Sequence, residues 1–200
     1  MQPTPYGSTR STSYADRLRG ALMLDARTYR EVEQDTNANG QAALTIVLAA
    51  LAAGIGSIVG RDWLQDAIGV VLSSVLQWIV FSFVAYYVGA SLFSSGQTSV
   101  TPGQVLRTIG FAHAPKLFLV LGIIPILGWI VGLIVFFWFL AAAITALREA
   151  FEFDTGRAVA TGLVALIGIA ILDVGLSVFF GIGSALFGAL DSVVRSIIPF

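Results

Sequence analysis

The chain has 200 residues, of which 56% are hydrophobic and 12% charged, with a net charge of −1 and no cysteine. Soluble domains carry about 25% charged residues, so most of this chain is expected to face lipid or other helices rather than water. Near-neutral charge argues against a nucleic-acid surface, and the missing cysteines exclude disulfides, thiol catalysis and cysteine metal sites.

Residues 1–12 are rich in Pro, Gly, Ser and Thr and are expected to form a disordered tail. Over residues 13–40, charges of both signs alternate with Tyr14, Leu18, Leu22, Tyr29 and Val32 at helical spacing. This predicts a cytosolic pair of amphipathic helices, the second restarting at an Asp25 N-cap. Such a pair lies on the membrane or against a bundle, or it offers a docking surface to a partner protein. Five arginines (Arg10, Arg17, Arg19, Arg27, Arg30) stand against five acids (Asp16, Asp25, Glu31, Glu33, Asp35), which argues against a simple polybasic lipid anchor. The first apolar run begins only near Gln41, so no cleavable signal peptide is expected.

The predicted fold class is all-α, a polytopic membrane helix bundle. Five spans are expected over residues 41–59, 67–93, 102–124, 126–147 and 158–180, within a transmembrane domain of residues 41–182. Gly54, Gly56 and Gly60 suit close helix packing; their spacing is not a nucleotide fingerprint. Trp63, Tyr86 and Tyr87 suit interfacial belts. Thr101, Pro102 and Gln104 form a capping-box start for the third span, and Pro115 is expected to kink it. Pro125 and Gly128 separate spans three and four into a hairpin whose two ends face one compartment. Residues 158–190 as a single helix would measure about 50 Å, too long for one crossing. A fifth span followed by an interfacial helix over residues 183–200 is therefore favoured; a re-entrant pair turning at Asp173 is the alternative.

With the N-terminus in the cytosol, nine basic residues fall inside, and only Arg61 and Arg195 fall outside. That matches the positive-inside rule and places the C-terminus outside.

Four stretches then carry a family resemblance: L-M-L-D-A-R-T-Y-R-E-V-E, R-T-I-G-F-A-H-A-P-K, I-P-I-L-G-W and A-L-R-E-A-F-E-F-D-T-G-R-A. In that order they resemble the bacterial branch of the Yip-domain family, over roughly residues 16–180. The resemblance implies a cytosolic N-terminal region and five membrane helices. Eukaryotic members bind Rab-type small GTPases and organise membranes, whereas the bacterial branch implies no Rab partner. The family supplies no catalytic residues to carry over.

Asp173 would lie inside the fifth span, where an ionised Asp costs about 2.5–3.5 kcal/mol at mid-helix. It is expected to pair or pack within the bundle, or to line an ion or proton pathway. His113 and Lys116, three residues apart, share a helix face. Lys116 either snorkels to headgroups while His113 bonds a carbonyl freed by Pro115, or the two form a proton relay with Asp173. Arg148, Glu149, Glu152, Asp154 and Arg157 make either a salt-bridged, capped turn between spans four and five, or a metal or partner site. One histidine and no cysteine leave little for a transition metal, and no nucleophile–base pair or phosphate loop is visible. The expected function is a non-enzymatic scaffold or adaptor without cofactor or metal. Its expected location is the bacterial cytoplasmic membrane, with the lipid bilayer as partner and a protein contacted through the N-terminal helices. The alternative is a small transporter or channel using spans three and five.

Overall fold

The computed structural model describes residues 12–56, 63–93, 100–171, 174–175 and 177–178. The expected tail (all but its last residue), the expected C-terminal helix, and Gly60, Arg61 and Asp173 lie outside the described residues. Every described element is helical, and no strand occurs among the described residues. Two short helices, α1 (Tyr14–Leu22) and α2 (Ala26–Gln34), precede α3 (Ala38–Gly56) and α4 (Trp63–Val88). The chain continues through α5 (Pro102–Ala112) and α6 (Pro125–Phe151) into α7 (Thr155–Ile171).

Local chemistry explains where these helices start and stop. The Ser13 hydroxyl accepts from the Asp16 amide at the head of α1, and the Asp25 carboxylate accepts from the Arg27 amide at the head of α2. Between them Leu24 takes a left-handed φ of 57°, and the Asp25 amide closes back on the Gly20 carbonyl at 2.9 Å. This is a Schellman end with leucine where glycine is usual. The end of α6 repeats it: Glu152 has φ 53°, and the Phe153 amide bonds the Arg148 carbonyl at 3.0 Å. As a result Arg148 and Glu149 sit in the last helical turn, and not in the loop after it.

Four segments are long and apolar enough to cross a membrane: Ala38–Gly56, Ile68–Phe93, Pro102–Ile123 and Leu127–Phe151. The third changes character half-way. Thr101 and Gln104 close a full capping box at the head of α5, yet the α-helix ends at Ala112 and a 3-10 segment, Ala114–Ile123, takes over. Pro115 has no amide to give to Phe111, and the Lys116 amide bonds the His113 carbonyl at 2.9 Å in the tighter pattern. The expected kink is thus a change of helix type. The 3-10 segment runs on for ten residues, far beyond its usual three or four.

The largest buried side chains include Tyr29 of α2, Ile46 of α3, Ile109 and Phe111 of α5, and Leu147 and Phe151 of α6. Elsewhere large apolar side chains point outward, among them Trp129 (78% exposed), Phe137 and Ile171. A belt of this size on water would be an aggregation surface; on a membrane helix bundle it is the lipid face.

Candidate functional site

The short helices are pinned to the bundle by two buried arginines. Arg17, 4% exposed, donates to Glu31 Oε1 (2.9 Å), Asp35 Oδ2 (2.7 Å) and Gln41 Oε1 (2.9 Å), tying α1 to α2 and to the start of α3. Arg107, 5% exposed, reaches from α5 to the C-terminal end of α2. It donates to the Val32 carbonyl (3.1 Å), the Glu33 carbonyl and Asn39 Oδ1 (3.3 Å). The last carbonyls of a helix have no intrahelical donor and carry partial negative charge, so a guanidinium satisfies both needs there. Tyr29 and Val32 are fully buried on the same side of α2, three residues apart.

Beside this junction lies a cleft of about 400 Å³, lined by Arg30, Glu33, Gln34, Arg148, Glu149, Glu152 and Phe153. Glu149, 7% exposed, forms its floor and accepts from Arg30 Nε at 2.6 Å and from Arg148 Nη2 at 3.1 Å. Gln104 Nε2 donates to Glu33 Oε1 at 2.7 Å. Burial pushes the Glu33 carboxyl above its ordinary range, the facing Glu152 carboxylate adds to this, and Arg107 and Gln104 pull it back. Asp35 is held below the carboxylate range by its hydrogen bond from Arg17. Because the charges at the cleft largely answer one another, its chemistry is that of recognition: it can accept a polar or cationic group, and it presents no nucleophile.

Of the loop residues singled out in the sequence, Arg148, Glu149 and Glu152 line this cleft. Asp154 and Arg157 stand apart from it. Asp154 Oδ1 accepts from the Arg157 amide (3.0 Å), and the two side chains pair at 3.3 Å, capping α7. His113 and Lys116 come together on one aromatic ring. The Phe139 centroid lies 4.7 Å from that of His113 and 4.0 Å from Lys116 Nζ. His113 Nδ1 donates to the Ile109 carbonyl at 2.9 Å, not to the Phe111 carbonyl that Pro115 cannot use. The histidine's own amide has turned to Gly110, which leaves Ile109 free. Lys116 therefore covers Phe139 within the third span (a cation–π contact).

The bonds of Arg17, Arg30 and Arg107, and that from Gln104 to Glu33, escape a reading of the sequence, because those partners lie on other elements. One signal was present: Tyr29 and Val32 mark an apolar stripe on α2 that must be covered by something.

The family model for the Yip1 domain matches residues 20–189. The chain belongs to the Yip1 domain family. The match begins inside α1, so both the α2 junction and the cleft lie within the family domain. Family and apolar helices together make this an integral membrane protein. No curated protein and no solved structure matches the chain.

Proposed function

We propose that the chain is a non-enzymatic scaffold or adaptor of the bacterial cytoplasmic membrane, built on five spans with the N-terminus cytosolic and the C-terminus outside. The observation that carries this reading is the pinning of α2 by Arg107 and Arg30, which makes the N-terminal helices a fixed platform beside the cleft. A preorganised surface loses less conformational freedom on binding than a loose arm does. Arg148, Glu149 and Glu152 are its contact residues from the bundle, and Gln34 is its exposed rim. Nothing in this role requires a cofactor. A photoreactive residue placed at Gln34 in living cells should yield one recurrent protein adduct by mass spectrometry, lost when Glu152→Lys reverses the charge at the cleft. Adducts to lipid alone, or an adduct unchanged by that reversal, would overturn the reading.

A second reading is favoured by the meeting of His113 and Lys116 on Phe139: a small transporter whose pathway these residues line, with Asp173 completing a relay. Against it, the pocket between α4, α6 and α7 measures about 60 Å³ and is lined by apolar side chains and Gly162. Proton-coupled flux into liposomes that vanishes with Asp173→Asn would decide for the transporter; flux absent, or indifferent to the substitution, removes it.

A further inference from the structure

The depth of the α1–α2 turn differs from what a cytosolic pair of helices would show. Trp138 sits thirteen residues from either end of α6, the middle of a 27-residue helix. Its indole Nε1 donates to the carbonyl of Leu22, the last residue of α1, at 2.9 Å. Along the same helix Glu149, which holds Arg30, is eleven residues further towards the polar end. Eleven residues span about 16 Å, and still about 13 Å if α6 tilts by some 40°. Headgroups occupy only about 5–8 Å on each side of a hydrocarbon core of ~30 Å. Side chains on a helix lean towards its N-terminus, so the Trp138 ring points away from Glu149 and the turn lies deeper still. The turn is consequently level with acyl chains while the far end of α2 is level with the paired arginines.

Its composition fits that depth. Met23, at the tip, is 68% exposed and lies between Leu22 and Leu24. Around it, Arg19 and Arg27 are exposed, and neither guanidinium has a partner among the described residues. Most other charged groups of the hairpin are occupied, Asp16 only by the Ser13 hydroxyl. Arg17 takes Glu31 and Asp35, Arg30 takes Glu149, Glu33 takes Gln104, and the Asp25 carboxylate accepts from the Arg27 amide. At the tip Arg19 and Arg27 stand against the single carboxylate of Asp25, which has no ion pair among the described residues, and the two long cationic side chains can reach upward to phosphates.

We propose that the α1–α2 turn is inserted into the lipid leaflet on the side of the paired arginines, with Met23 among the acyl chains and Arg19 and Arg27 on the phosphates. The inference goes beyond the adaptor reading and stands without it, since lipid contact at the tip needs no protein at the cleft.

The absence of native cysteine makes the test direct. Met23→Cys, Gln34→Cys and Leu133→Cys are each labelled with an environment-sensitive fluorophore in the full chain. The proteins are then reconstituted into vesicles containing about one-fifth anionic phospholipid, a composition chosen to mimic a negative leaflet. Leu133, 48% exposed at mid-α6, is the lipid reference, and exposed Gln34 is the aqueous one. The Met23 label should be quenched by spin-labelled acyl chains to within about twofold of the Leu133 label, and several-fold less by iodide than the Gln34 label. Iodide quenching equal to that at Gln34 would place the tip in water and overturn the proposal. Protection from both quenchers would mean that protein covers the tip, and would overturn it as well. Adduct formation from Gln34 is read separately, so failure here leaves the adaptor reading untouched, and the reverse.

Discussion

The two ends of this bundle are held by opposite means. At the polar end, α1, α2, α3, α5 and α6 are joined by side chains that name their partners: Arg17 to Glu31, Asp35 and Gln41, Arg107 to the tail of α2, Arg30 to Glu149. At the other end backbones touch. An added Cβ on Gly56 would overlap the Leu119 carbonyl oxygen, one on Gly122 would meet the Gly56 carbonyl oxygen at 3.1 Å, and one on Gly128 the Gly122 oxygen at 3.0 Å. Water competes for every polar group at the first end, so specificity there must come from geometry and burial. In lipid the hydrophobic effect does not bring helices together, and close packing of small residues does that work. The first end is held by named side-chain pairs, and the second by backbone contact.

The sharpest way to break this contrast is Arg107→Ala. It strands the Val32 and Glu33 carbonyls and should destabilise the docked hairpin by about 2–4 kcal/mol. Amide exchange in α2 should accelerate at least tenfold, while the spans stay protected. Equal exchange in both proteins would show that apolar contact from Tyr29 and Val32 suffices. Next in size is Gly56→Ala, which forces α3 away from the 3-10 segment and should cost about 1–3 kcal/mol in detergent unfolding. Gly54→Ala is the control: its Cβ would meet nothing within 4 Å among the described residues, so stability should hold or rise by up to ~1 kcal/mol. If both glycines tolerate alanine alike, the far end is not set by backbone contact.

The smallest effect sharpens the polar end. Glu33 titrates above its ordinary value of 4.5 because it is buried and faces Glu152. The folded state therefore binds its proton more tightly than the unfolded state does. That contribution is fully present below pH ~4.5 and is lost as pH rises through the folded value. Asp35, lowered by Arg17, behaves oppositely: its contribution is present above its unfolded value and disappears as pH falls through the folded one. The hairpin should hold slightly better at pH 5 than at pH 7.5, by a few tenths of a kcal/mol for a half-exposed group. Glu33→Gln should abolish the difference in melting temperature; a difference that survives would assign it to another group.

Much of the local structure could be read from residues in sequence order. The capping box at Thr101 and Gln104, the restart at Asp25 and the Asp154 cap of α7 each rest on groups within three residues of one another. Leu24 and Glu152 could not be read this way, because nothing marks a leucine or a glutamate for the left-handed turn. Arg107 illustrates the same limit. As a letter it counts as one more basic residue beside a span; in the fold it is buried and caps a helix 75 residues earlier.

Composition and periodicity, which are properties of short stretches, were enough to specify a helical chain immersed in lipid, because the cost of leaving apolar surface in water, or backbone polar groups in lipid, is the same wherever the stretch ends up. Which arginine meets which carboxylate, how far α1 descends beside α6, and what His113 and Lys116 touch were decided only by tertiary structure. Those contacts join residues up to 119 positions apart, and their energies depend on orientation and burial that no local pattern encodes.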